Sequence, residues 1–535
     1  MKLSRRSFLG AAAATVAGSA AAAAAGSWSS PASAASPAGD VVGKISVGYQ
    51  GWFACIGDGA PINAWWHWSQ NQSQPPSPSN NVIKAWPDMT EYAKSYQTAY
   101  ANLNDGAPAT LFSSYDQSTV NTHFLWMQQN GCDTAALQRF NPNTAEGPTR
   151  DAMAARVNSA AQTYGRKFYI MYDVTGWTNM QSEIMTDWTT KMSAYTASSA
   201  YARQNGKPVV CIWGFGFNDS NHPFTAAACL DVVNWFKGQG VYVIGGVPRE
   251  WRTGTGGSRS GFLSVYHAFN MLSPWMVGAI ATAADSDNAY TTYTVPDEAD
   301  CNANGVDYQP CVLPGDVSAG NQRAHGDFMW RQFYNMVRAG VQGIYISMFD
   351  EYGEGNQIAK TAATQAGVPA GSGLLSLDQD GTACSSDYYL RLTDDGGRML
   401  KGQIALTATR PTPPEPTGGA PSSCGEMAAN VSLTANQSLA SCNGDYTLIM
   451  QGDGNLVLYQ GGTALWASGT VGSGADEAIM QGDGNFVLYT SAGTPVWASN
   501  TAGNAGAYLN VQNDGNVVIY SASGSALWST GTAGK

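Results

Sequence analysis

The chain has 535 residues, 12% of them charged, with 27 Lys and Arg against 39 Asp and Glu for a formal net charge of -12. That acidity excludes duplex nucleic acid as a partner, because binding phosphates takes a basic face; an uncharged polymer such as a polysaccharide suits the chain better. The length argues for about three units, or two if one is a barrel, and 17 Trp, 25 Tyr and 61 Gly make the chain aromatic-rich and turn-rich.

The first element is a targeting segment. Lys2 and the run Ser4-Arg5-Arg6-Ser7-Phe8-Leu9-Gly10 precede an alanine-rich apolar stretch that ends at Ala32-Ser33-Ala34, a small-residue cleavage site. A twin arginine followed by Phe-Leu is the pattern of a Tat leader. Residues 1–34 are therefore expected to be removed on export and the mature protein to be secreted. No later stretch approaches the ~20 apolar residues of a membrane span. The nine cysteines would then meet an oxidising compartment, where the closest spacings pair Cys301 with Cys311 and Cys424 with Cys442. No Cys-x-x-Cys or His-x-x-His spacing occurs, so neither a metal nor a cofactor is expected.

From 41 to 408, apolar runs of strand length alternate with longer helical stretches, the signature of βα units. The candidate strands are Ile45–Tyr49, Ala109–Ser113, Ala135–Phe140, Lys167–Tyr172, Pro208–Trp213, Val241–Gly245, Trp275–Ile280 and Gly343–Phe349. Helical stretches run over Arg150–Tyr164, Glu183–Gln204, Thr225–Lys237 and Asp327–Arg338. Eight strands in this order predict an α/β fold, a (β/α)8 TIM barrel, whose active site lies at the C-terminal ends of the strands.

The eighth candidate strand runs into Phe349-Asp350-Glu351-Tyr352-Gly353-Glu354-Gly355-Asn356-Gln357. Three carboxylates within five residues sit where a barrel keeps its catalytic groups. Paired carboxylates suit glycoside hydrolysis, since one must stay protonated to expel the leaving oxygen while the other stays ionised. Acids crowded on one turn repel, which raises one pKa. Tyr49, Trp52, Asp173, Trp213 and Trp275 fall at or just beyond predicted strand ends and, with Asp350, are candidates for substrate binding; aromatics there can stack on sugar faces. The cluster Trp65-Trp66-His67-Trp68 is a candidate wall of the cleft.

The turn resembles glycoside hydrolase family 99 and its relatives, the endo-α-mannosidase group, through Phe349, Glu351, Glu354, Gly355, Gln357 and Ile358. Asp350 stands where that pattern has Asn and Tyr352 where it has Trp. The resemblance implies that Glu351 takes the proton of the substrate's own 2-hydroxyl and that Glu354 protonates the departing oxygen. A 1,2-anhydro sugar would form and then be opened by water with net retention. Such chemistry needs a 2-hydroxyl anti to the leaving group, as in an α-mannoside. The related family 71 makes an α-glucanase the alternative, and a barrel that has lost catalysis would leave a mannose-binding lectin or adhesin.

A proline-rich run, Arg410-Pro411-Thr412-Pro413-Pro414-Glu415-Pro416-Thr417-Gly418-Gly419, reads as a linker over 409–424, because such runs stay extended. Beyond it, in 425–535, Gln451-x-Asp453-x-Asn455-x-Val457-x-Tyr459 recurs as Gln481-x-Asp483-x-Asn485-x-Val487-x-Tyr489 and as Gln512-x-Asp514-x-Asn516-x-Val518-x-Tyr520. Trp466, Trp497 and Trp528 follow the three copies. A period of two would put the five motif residues on one face of a β-strand, where amide, carboxylate and phenol around an aliphatic patch suit a small polyol. The motif is identified as that of the bulb-type mannose-binding lectins. The resemblance implies an all-β β-prism II with tryptophans at its centre and one α-mannose site per motif. The whole chain is thus expected to be a secreted glycoside hydrolase whose partner is an α-mannose-containing glycan.

Overall fold

A computed structural model describes residues 36–415, 425–429, 431–441, 444–522 and 525–535. The leader at 1–34, Cys424, Cys442 and the linker from 416 to 424 lie outside the described residues. The chain forms two compact units, Met1–Pro414 and Glu415–Lys535. No helix among the described residues is long and apolar enough to cross a membrane.

The first unit is a closed parallel barrel. Its strands are β1 (Ile45–Tyr49), β2 (Thr134–Arg139), β3 (Lys167–Asp173), β4 (Lys207–Trp213), β5 (Tyr242–Pro248), β6 (Met271–Trp275), β7 in two pieces (Asp307–Tyr308 and Cys311–Val312) and β8 (Ile344–Ile346). Each pairs in parallel with the next, and β8 returns to β1. The two pieces of β7 complete the ring, the first pairing with β6 and the second with β8. Pro310 sits between them; it has no N–H for the ladder, and the strand is broken there. The inward and outward faces of β1, β2 and β5 are buried throughout, as expected of a sheet wrapped by helices.

Two expected strands are corrected. Within Ala109–Ser113 only Thr110–Leu111 is strand, and it pairs antiparallel with Tyr96–Gln97 outside the barrel. A short apolar run marks burial, not membership of a particular sheet. Of Trp275–Ile280 only Trp275 is strand, as the last residue of β6, which runs Met271–Trp275 and includes Pro274. The expected helix Glu183–Gln204 is α-helical over Met180–Asp187, continues as a π turn at Trp188–Met192 and a 3-10 turn at Ser193–Ala197, and stops. Arg203–Gln204 instead forms a hairpin with the start of β4 across Asn205-Gly206, a strong hairpin signal.

Helix Tyr388–Leu400 closes the first unit. The start of the proline-rich run is tied to it: Arg391 donates to the carbonyls of Pro413 (3.1 Å) and Pro414 (2.9 Å), and Thr412 Oγ1 donates to Asp395 (2.7 Å). Cys301 carries a buried free thiol, so its expected bridge to Cys311 is not formed.

The second unit is all β. Three four-stranded antiparallel sheets each take one N-terminal strand and one repeat: Ser438–Ala440 joins the first repeat, Val431–Thr434 the second and Glu426–Met427 the third. Crossing the entering chain over all three sheets in this way builds a pseudo-threefold prism around one apolar core. At its centre Trp466, Trp497 and Trp528 meet edge to face, their ring centroids 5.7–5.8 Å apart, the geometry aromatic quadrupoles favour. Trp497→Ala is expected to cost about 3 kcal/mol. Scanning calorimetry should show this as a lower melting transition for the second unit and an unchanged one for the first.

Candidate functional site

β8 hands the chain directly to the acidic turn. Asp350 is fully buried; its Oδ1 accepts from the Gln50 N–H (2.7 Å) and its Oδ2 from the Gly51 N–H (2.9 Å), both just beyond β1. Burial pushes its pKa up to about 6, against the opposing pull of those backbone N–H groups. Burial, rather than repulsion between neighbouring carboxylates, is the cause of that rise. Glu351 is 3% exposed. Its Oε2 accepts from Gln50 Nε2 (2.9 Å) and its Oε1 from the Gly353 N–H (3.0 Å). Glu354, three residues on, is half-buried.

The far side of the turn is equally constrained. Gly355 has φ 72°, and a Cβ there would lie 2.5 Å from Asp316 Oδ1, so only glycine fits. Arg323, buried against the Tyr389 ring, donates to the carbonyls of Gly355 (2.9 Å), Gln357 (2.7 Å) and Gly315 (3.0 Å). Lys84 reaches Asp316 at 3.1 Å. Two carboxylates on a turn pinned at both ends can act as a proton acceptor and a proton donor on one substrate.

The other expected residues fall into three groups. Tyr49 and Asp350 are not open to a ligand. Tyr49 is wholly buried, packs on Phe124 and Phe349 and hydrogen-bonds His123 Nδ1 at 2.9 Å. Its position within β1, rather than beyond it, turns the ring into the packing between barrel and helices. Asp350 spends both oxygens on backbone.

Trp213 and Trp275, at the ends of β4 and β6, meet edge to face at 5.5 Å; Trp213 is buried and Trp275 half-buried. Asp173, at the end of β3 and 1% exposed, accepts from the Thr175 N–H (3.0 Å) and hydroxyl (2.6 Å). Thr175 Oγ1 in turn lies 3.0 Å from His222 Nε2, whose Nδ1 is 2.8 Å from Asp219.

Trp52 is half-buried and stacks on His67 at 3.6 Å, with the Arg150 guanidinium against Trp52, Trp66 and Phe140. Trp65, Trp66 and Trp68 are buried, and Trp68 Nε1 donates to the Phe112 carbonyl; Trp66 packs in a small cluster with Trp52, while His67 stacks directly on the Trp52 ring. Gln50 and Arg323 carry no sequence motif. The one cue for Gln50 is its place as the first polar residue after an apolar strand.

In the second unit the repeated motif builds three matching sites, by a route that corrects the expected strand face. Gln451-Gly452-Asp453-Gly454-Asn455 is the hairpin turn between strands Tyr446–Met450 and Leu456–Gln460; the strand begins only after Asn455. The Gln451 N–H closes the turn on the Asn455 carbonyl (2.8 Å), and the same closure recurs at Gln481–Asn485 and Gln512–Asn516. The doublet Asp-Gly is a turn signal that overrides period-two alternation.

The five residues still converge. Gln451 Nε2 donates to Tyr459 Oη at 3.0 Å, Gln481 to Tyr489 at 3.0 Å and Gln512 to Tyr520 at 2.7 Å. Asp453, Asp483 and Asp514 are exposed, and each accepts the N–H of its Asn at 2.9–3.0 Å. Val457, Val487 and Val518 are buried beneath. Each Asn Oδ1 accepts two bonds: from Ser468 and the Thr470 N–H, from Ser499 and the Thr501 N–H, and from Thr530 and the Thr532 N–H, all at 3.0–3.2 Å. These partners follow the tryptophans as Trp-x-Ser/Thr-x-Thr, a second repeated signal in the sequence that identifies them. With its oxygen tied inward, each Asn keeps its amide NH2 near an exposed carboxylate, a phenol and an aliphatic floor, groups whose chemistry can hydrogen-bond hydroxyls and pack on C–H surface.

No protein-family model matches the chain, and no curated protein matches it. Among solved structures, a monomeric monocot mannose-binding lectin from Gastrodia elata is 47% identical over 20% of this chain and 97% of its own, with TM-score 0.19. The mannose-specific agglutinin of snowdrop (Galanthus nivalis) bulbs, complexed with methyl-α-D-mannoside, is 39% identical over 20% of this chain and 96% of its own, with TM-score 0.18. A GH99 endo-α-mannosidase from Bacteroides thetaiotaomicron is 14% identical over 68% of this chain and 98% of its own, with TM-score 0.49.

Proposed function

Because the C-terminal unit belongs to the monocot, or bulb-type, mannose-binding lectins, we propose that the chain is a secreted glycoside hydrolase acting on α-mannosides and held on its substrate by that lectin module. The observation that carries the proposal is the placement of Glu351 and Glu354 three residues apart, on one pinned turn at the C-terminal mouth of a (β/α)8 barrel. Glu351 is the base. It receives the proton of the sugar's 2-hydroxyl as that oxygen bonds to C1, while Glu354 gives its proton to the departing oxygen as the C1–O bond breaks. Water then opens the 1,2-anhydro sugar: Glu354 takes a proton from the water, Glu351 returns one to the 2-oxygen, and the configuration at C1 is retained. Trp52, Trp213 and Trp275 supply sugar-stacking surface at the strand ends, and Asp173 a hydroxyl acceptor.

The resemblance of the Phe349–Ile358 turn to family 99 supports this reading, and the lectin module selects the same sugar. Three weak sites on the chain that bears the active site raise its effective concentration at a polymer without high intrinsic affinity. The purified full chain incubated with α-mannan is expected to release new reducing ends, and with α-1,3-glucan none. Release from the glucan alone would make it an α-glucanase; release from neither would leave a binding protein. Export by the Tat route carries its own expectation: replacing Arg5 and Arg6 by Lys should hold the protein inside the cell, measured by immunoblot of the culture fluid.

A further inference from the structure

Gln50 has no role in the reaction as written, yet it is 1% exposed and touches the base itself. Its Nε2 donates to Glu351 Oε2 at 2.9 Å, which fixes the amide, since the reversed group would set an oxygen against a carboxylate. Its backbone is fixed from the other side by Asp350, which accepts from the Gln50 and Gly51 N–H groups.

A closed ring results. Asp350 holds the Gln50 backbone, the Gln50 side chain holds Glu351, and Glu351 is the next residue after Asp350. The ring ties β1 to the segment after β8 beyond the last register pair, Val47 and Ile346, adding to the Phe349 N–H bond to the Gly48 carbonyl (2.8 Å). Gln50 Oε1 meanwhile is buried without a protein partner, a cost to stability that an apolar residue of similar size would avoid. A buried polar group kept at such a cost calls for an explanation, and a catalytic role is one.

We propose that Gln50, anchored by Asp350, is a positioning residue that holds the Glu351 carboxylate in the one rotamer able to receive the substrate's proton. The inference rests on the reading of Glu351 as the base. Misplacement of a reacting group by about 1 Å is enough to cost some 10²-fold in rate, and the long Glu side chain has the freedom to make that error.

Gln50→Leu and Gln50→Glu test it, the second preserving shape where the first fails to fold. In the crystal structure of Gln50→Leu, Glu351 is expected to leave its present rotamer. With α-mannan as substrate, kcat should fall at least ~10-fold at nearly constant KM. In Gln50→Glu, a carboxylate facing Glu351 should move the acid limb of the kcat profile upward by about one pH unit or more. A merely structural Gln50 would lower Tm in Gln50→Leu while leaving kcat and the Glu351 rotamer in place. Glu351 unmoved in the Gln50→Leu structure, or an acid limb unmoved in Gln50→Glu, overturns the proposal. If the wild-type chain cuts no α-glycan, the hydrolase reading fails separately, and the Glu351 rotamer still decides the role of Gln50.

Discussion

Glu354→Gln should lower hydrolysis of α-mannan by about 10³-fold, within the range that loss of a positioned general acid produces, while mannose-column retention and melting temperature stay at the wild-type values. The two carboxylates differ as targets for mutation. Glu351 accepts N–H bonds on both oxygens, so an amide there must point its NH2 at Gln50 Nε2 or at the Gly353 N–H, and a loss of activity would mix chemistry with structural damage. Glu354 is half-buried, so an amide of the same shape can be met by solvent. What it removes is the proton donated to the leaving oxygen. The effect should therefore shrink on substrates with good leaving groups: an aryl α-mannoside with an acidic phenol should lose far less rate in Glu354→Gln than α-mannan does. Equal losses on both substrates would reject Glu354 as the acid, and unchanged activity on α-mannan would reject the turn as the active site.

How far the fold can be read from sequence depends on which physical signal each segment carries. Strands such as Lys167–Asp173 and Tyr242–Pro248 are buried on nearly every residue, so continuous apolar runs announce them. β7 is hidden because Asp307, Gln309 and Pro310 break its apolar run, although the barrel encloses all three; Asp307 accepts from the Tyr242 hydroxyl and Gln309 donates to Ser46. Buried polar residues satisfied by distant partners have no local signature. Ala109–Ser113 shows the reverse case, an apolar run buried by an excursion outside the barrel. At the active turn the acids are legible because chemistry demands their type. Gln50 and Arg323 are not, because their importance lies in which atoms they reach across 301 and 32 positions of sequence. In the second unit the repeat reveals the motif at once, but the period of two hides the turn that Asp453-Gly454 imposes.

Replacing Asn455, Asn485 and Asn516 together by Ala is expected to abolish retention on a mannose column, whereas any one replacement should only shorten it. Each Asn is held by two bonds to its Oδ1, so the amide NH2 is a preorganised donor, and truncation removes that donor together with the tie that aims it. One lost site leaves two on the same chain, and against an immobilised polymer the remaining pair still rebind before the chain diffuses away; the second loss ends multivalency and the third ends binding. Each truncation also frees a Ser or Thr hydroxyl and a backbone N–H, at about 1 kcal/mol apiece, so retention must be separated from unfolding. Asp453→Asn, Asp483→Asn and Asp514→Asn made together supply that separation. The three carboxylates are exposed and their amides keep an oxygen for the backbone N–H beside them, so melting temperature should hold while the charged acceptor for sugar hydroxyls is gone. Loss of retention in both triple variants with the prism intact places mannose at the hairpin turns, and full retention in either would move it elsewhere on the unit.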